Sequence, residues 1–161
     1  MSPDGEDFAC QRCHEFEQHR VLGRGLDLRP NDRPEALRCT RCHEDQPHHE
    51  AKLDNHTARV ACQSCHIPRY AKSRSTEMDR DWNNPQWFQG LFGGQGGYKP
   101  EEIREQNVIP TYAWYDGTSN VYVSGQVPVS NEVGELVLSS PHGAVDSEGA
   151  RIHPMKEHLS E

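Results

Sequence analysis

Six cysteines and three of the ten histidines in this chain fall into one repeated pattern: Cys10-Gln11-Arg12-Cys13-His14, Cys39-Thr40-Arg41-Cys42-His43 and Cys62-Gln63-Ser64-Cys65-His66. No cysteine lies outside it. Two thiols separated by two residues reach one edge of a porphyrin and add across its vinyl groups as thioethers. The imidazole that follows swings beneath the ring to ligate iron. Cys-x-x-Cys-His is the signature of covalent c-type haem attachment. Cys10, Cys13, Cys39, Cys42, Cys62 and Cys65 are therefore the expected attachment points, and His14, His43 and His66 the proximal ligands of three haems.

The same residues admit other chemistry. Paired thiols build zinc tetrahedra, six cysteines could form a disulfide framework, and a lone Cys-x-x-Cys is a redox dithiol. None of these requires His directly after every second Cys. With His at about 6% of the chain, three such neighbours arise by chance in roughly 2 of 10,000 cases. Haem attachment is the reading that uses every one of these residues.

What lies opposite each proximal His decides the chemistry. A second His closes a low-spin site suited to electron transfer, Met closes it at a higher potential, and an open position invites substrate. His19, His48, His49, His56, His142, His153 and His158 remain, each with a plainer reading as a solvated surface side chain. His56 precedes Cys62 by six residues, so the third motif pins it while leaving it free to face another haem. His48 follows Pro47 shortly after the second motif, with His49 as a neighbour that could replace it. His19 lies five residues past His14 and so reaches a different haem more readily than its own. Met78 and Met155 sit in no diagnostic context. All-His ligation is the expectation, and no catalytic residue is assigned.

The elements that must position these groups are short. The motifs occupy residues 10–66, and residues 67–161 hold none. Gly23-Arg24-Gly25 and Arg29-Pro30-Asn31-Asp32-Arg33-Pro34 read as loops. Asp54 to Cys65 reads as a helix carrying the third motif and ending before Pro68. Trp82, Trp87, Phe88 and Phe92 make an aromatic cluster ahead of Gly93-Gly94-Gln95-Gly96-Gly97. That run lacks the strand and helix flanks of a nucleotide-binding loop, so it reads as an ordinary loop. Pro100–Gln106 suits a short helix, with Pro and acids in its first turn. Tyr112–Tyr115 and Val121–Val123 read as a β-hairpin around Asp116–Asn120, and Leu136–Leu138 as a further strand. The expected architecture is a haem-organised multihaem cytochrome c, mostly coil, with short α-helices and a small β-hairpin in the C-terminal half. It reads as a single domain over residues 1–161, with the haem motifs in 1–70 and a motif-free wrap over 71–161.

Composition explains why haem must organise it. Hydrophobic residues make up 33% of 161, mean hydropathy is -0.94, and eleven Pro and thirteen Gly interrupt the chain. So little apolar area does not offset chain entropy, whereas three covalently held macrocycles supply the missing core. The formal charge of -8 and the lack of a basic stripe argue against nucleic acid and favour a cationic redox partner. No apolar run reaches membrane-span length. Met1–Asp7 does not resemble a signal peptide. Attachment of this kind takes place outside the cytoplasm, so a periplasmic or extracellular location is expected. The export signal is then either removed or carried by a longer protein of which this chain is a segment.

Longer strings carry a more specific likeness. His56-Thr57-Ala58-Arg59-Val60-Ala61-Cys62-Gln63-Ser64-Cys65-His66-Ile67-Pro68-Arg69-Tyr70-Ala71-Lys72 resembles the octahaem tetrathionate reductase family of multihaem c-type cytochromes. Asp81-Trp82, Pro110–Gly117 and Ile152–His158 resemble its downstream blocks. The resemblance implies closely packed, mostly bis-His haems, with His19, His48, His56 and His158 at positions of distal ligands. It also implies one Lys-ligated haem acting on small sulfur or nitrogen oxyanions, and Lys156 matches a family position near a haem. The chain departs from the pattern by having three motifs rather than eight and no spare cysteine. Its net negative charge also opposes an oxyanion site.

Two functions follow as expectations. The first is electron transfer to neighbouring cytochromes or to identical subunits in an oligomer or filament. The second is the haem-bearing part of a tetrathionate, nitrite or hydroxylamine reductase. That second function needs an open or Lys-ligated haem and cations such as Arg69, Lys72, Arg74 and Lys156, each of which reads more simply as solvated charge.

Overall fold

The computed structural model describes residues 16–17, 20–21, 39–41 and 43–161. Cys10, Cys13, His14, His19 and Cys42, and the loop signals at 23–34, lie outside the described residues. Chain contacts divide the protein into two compact units. One combines Met1–Cys62 with Trp114–Ile152, and the other combines Gln63–Ala113 with His153–Glu161.

In the first unit, β1 (Phe16–Glu17) and β2 (Arg20–Val21) pair antiparallel. A 3-10 turn spans Cys39–Arg41. Helix α1 (Ala51–His56) begins at Glu50, whose extended backbone and side chain cap the amides of Lys52 and Leu53 at 3.2 Å. Capping satisfies donors that a helix start leaves orphaned.

The single helix expected over 54–65 is instead broken in two. α1 stops at His56, and α2 (Cys62–His66) starts afresh. Between them Val60 bridges Ile152. The Arg59 carbonyl accepts from the Ile152 amide at 2.8 Å, and the Ala61 amide donates to the Ile152 carbonyl at 3.0 Å. Strand-like pairing with a distant segment takes the groups that a continuous helix would have used internally.

The second unit is built on β3 (Thr76–Phe88) and β4 (Gly97–Glu105), antiparallel, with β11 (Leu159–Ser160) added in parallel to β3. Pro100 lies in β4, so the helix expected at 100–106 is a strand. The register shifts between Asp81 and Gln86, and Pro100 falls at that irregularity, where a missing N–H costs no ladder bond. Pairing over Thr76–Asp81 and Glu101–Glu105 overrides the local helix signal. Of the aromatic cluster, Trp87 meets Tyr98 edge-on at 5.1 Å. Trp82, Trp87 and Phe88 stay about half exposed.

β5 (Thr111–Tyr115) pairs with β10 (Arg151–Met155). The hairpin expected between Tyr112 and Val123 does not form. β6 (Ser119–Val121) pairs with β9 (Ser139–Pro141), and nested inside them β7 (Val129–Ser130) pairs with β8 (Leu136–Val137). Asp116 explains the difference. Its Oδ1 accepts from the Thr118 amide and hydroxyl at 2.8 and 2.7 Å, and Gly117 at φ 98° turns the chain away from β5. A different hairpin forms at β7–β8, where Asn131 Oδ1 closes the turn on the Val133 and Glu135 amides.

Short helices, mostly short strands beside the longer β3 and β4, and coil make up the described chain, in line with the expected coil-rich architecture. Among the described residues only Ala61, Pro110 and Ala150 are buried. Val127, Val129, Val133 and Val145 are exposed, Val127 by 90%.

Candidate haem and ligand sites

The third motif is the most fully described. α2 contains Cys62, Cys65 and His66 and no other element intervenes. On a helix, residues three and four apart share a face, so Cys65 and His66 lie on the same side as Cys62. Cys62 is half-buried and Cys65 exposed, and neither is in a disulfide. In the second motif the Cys39–Arg41 turn is closed by the His43 amide donating to the Cys39 carbonyl at 3.0 Å. His43 and His66 are exposed. The third motif is thus a single tight turn, offering sulfur and imidazole to one side.

The remaining histidines differ in what holds them. Half-buried His48 places Nδ1 3.0 Å from Asp54 Oδ1, and its backbone amide donates to the same oxygen at 3.2 Å. Burial opposes ionisation of Asp54. The hydrogen bonds from the His48 amide and ring and from the Glu50 amide outweigh it, so the carboxyl is held below its ordinary value. His56 ends α1 and is exposed. His158 Nε2 lies 3.4 Å from Glu77 Oε1. Glu77 is also bound by Arg80, and that pairing above all keeps its carboxyl ionised below the usual range. That contact leaves Nδ1 as the ring nitrogen of His158 available to a metal. His153 is half-buried in β10. His142, for which the sequence offered no special signal, follows β9 and is engaged by Thr118.

Among the described residues no three His, Cys, Asp or Glu side chains converge where an ion could be held. Attachment to the edge of a ring needs only a local Cys-x-x-Cys-His turn, which is what α2 provides. The exposed apolar side chains and the three small buried residues fit the same group, because a large apolar ring supplies the surface they lack. The family described as cytochrome c bacterial matches residues 96–161. A crystal structure of octaheme cytochrome c from Shewanella oneidensis matches 98% of this chain with 36% sequence identity and a TM-score of 0.70. The chain belongs to the multihaem c-type cytochromes. No curated protein matches it. The chain spans 37% of the octaheme protein's length.

Covalently bound c-type haem is therefore the cofactor of this cytochrome. Met78, Lys156 and Arg69 among the other candidates are engaged in local contacts. The Tyr70 hydroxyl donates to the Met78 sulfur at 3.4 Å. Lys156 Nζ donates to Thr76 Oγ1 at 3.0 Å, and Arg69 to the Asn107 carbonyl at 2.9 Å. Lys72 and Arg74 are exposed. No helix among the described residues is long and apolar enough to cross a membrane.

Proposed function

We propose that this cytochrome transfers electrons through three covalently attached haems, one on each Cys-x-x-Cys-His motif. Haem supplies one-electron exchange between ferric and ferrous iron. The chain's own residues fix the rings and close the irons. Cys10, Cys13, Cys39, Cys42, Cys62 and Cys65 form the thioethers, and His14, His43 and His66 hold iron from below. His19, His48, His56 and His158 are the candidates for the opposite face, mainly as bis-His pairs. The match of nearly the whole chain to an octaheme cytochrome c at 36% identity carries this reading.

The electrons pass to neighbouring cytochromes or to identical subunits, in the periplasm or at the cell exterior. The charge of -8 favours a partner with a cationic face. A reductase acting on tetrathionate, nitrite or hydroxylamine is the competing outcome of one test. The optical spectrum of the purified holoprotein is recorded in both oxidation states, then with cyanide and nitrite. Fully low-spin haem unchanged by either anion is expected. A high-spin haem that binds them, with turnover from reduced viologen dye, would overturn the carrier reading.

A further inference from the structure

The geometry around His142 points to a haem ligand that the sequence did not single out: we propose that His142 Nε2 is an axial ligand to a c-type haem iron. The assignment rests on the cofactor reading above and deepens it.

Three side chains form a relay with only one consistent set of donors. Asp116 Oδ1 is a carboxylate oxygen, which only accepts, and Thr118 Oγ1 lies 2.7 Å from it. The Thr118 hydroxyl proton therefore points to Asp116. His142 Nδ1 lies 3.1 Å from the same Thr118 oxygen, whose proton is already committed. Nδ1 must then carry the proton and donate, which leaves Nε2 with its lone pair. Neutral imidazole with one nitrogen donating to an orienting group is the arrangement that metal-bound histidines adopt. The other nitrogen is the one the metal takes.

The backbone is held as firmly as the ring. The His142 amide donates to the Thr118 carbonyl, and its carbonyl accepts from the Asp116 amide, both at 2.9 Å. The next residue, Gly143, adopts φ 138°, and a Cβ there would lie 3.0 Å from the Trp114 carbonyl carbon and the Tyr115 nitrogen. His142 nevertheless remains exposed, so this support holds a ring that lies at the surface. A surface histidine needing nothing beyond solvent has no use for a fixed tautomer.

The iron could belong to a haem of this chain or of an adjacent copy, and the test separates them. Haem content of the wild-type holoprotein is first fixed by intact mass. Electron paramagnetic resonance then compares wild type, His142→Ala and Thr118→Val. The expected result for His142→Ala is loss of one haem equivalent of low-spin signal, its appearance as high-spin iron, and recovery with free imidazole. Thr118→Val keeps the ligand but frees its tautomer. It is expected to stay low-spin while the midpoint potential of one haem shifts. Wild type that remains low-spin on dilution places the iron in the same chain, whereas high-spin iron emerging on dilution places it in a neighbour. Unchanged low-spin intensity in His142→Ala, with an unaltered redox titration in Thr118→Val, overturns the assignment and leaves the haem reading standing. A wild-type mass equal to the polypeptide alone overturns both.

Discussion

One oxygen of Asp54 governs His48 twice: Oδ1 lies 3.2 Å from its backbone nitrogen and 3.0 Å from its ring Nδ1. The carboxylate, only 7% exposed, is ionised at neutral pH and only accepts. His48 therefore carries a proton on Nδ1. Such a partner orients the ring and makes it a better electron donor.

If His48 ligates iron, Asp54→Asn weakens that donation and leaves ferric iron less stabilised. The midpoint potential of one haem should rise, by about 59 mV for each tenfold loss of ferric preference. Spectroelectrochemical titration of the variant reads this directly, and unchanged potentials for every haem would remove His48 from the ligand set.

Haem and fold should be lost together. Cys62→Ser with Cys65→Ser is expected to lower the intact mass by one haem and to weaken the structure around α2. Replacing all six cysteines should leave a chain without native-like circular dichroism. With only Ala61, Pro110 and Ala150 buried among the described residues, little apolar burial is left to offset chain entropy.

Two glycines at positive φ separate backbone strain from steric conflict. Gly134, at φ 89° in the β7–β8 turn, has nothing near its missing Cβ, whereas Gly143 abuts the Trp114 backbone. Gly134→Ala should cost about 1 kcal/mol. Gly143→Ala should cost roughly 1–3 kcal/mol more, read as the difference between denaturant midpoints of the two holoproteins. Equal costs would mean that the Gly143 contact relaxes freely.

Glu102 sets a pH dependence through its own cationic partners. The hydrogen bond from Lys99, at 2.9 Å, leads the contacts that hold its carboxyl below the ordinary 4.5, with Arg104 adding to it at 3.3 Å. A depressed folded value means that the unfolded chain takes up the proton first. The contribution is thus complete above 4.5 and fades as pH falls through the lower folded value. Thermal melts of wild type and Glu102→Gln should differ at neutral pH and converge in acid. Added salt should shrink the neutral difference, because the pair is partly exposed.

Legibility in the sequence followed the range of the forces involved. The third motif reads directly because its geometry is local: three residues within five positions make one helical turn whatever surrounds them. Pro100–Gln106 misled because its helix signals are also local, but β3 offered a ladder that no window around Pro100 contains. The break between α1 and α2 likewise depends on Ile152, ninety-odd residues downstream. His142 gave no signal because its meaning comes from Asp116 and Thr118, which only the β6–β9 pairing brings alongside.

The sequence by itself pointed to covalently bound c-type haem, since a Cys-x-x-Cys-His signature needs neighbours along the chain and nothing else. It also determined that the chain cannot build a large apolar core of its own. Tertiary structure alone decided which strands pair and which polar partners His48, His142 and His158 meet. Those outcomes depend on hydrogen-bond partners far away in sequence, and no local pattern encodes a partner that folding has yet to deliver.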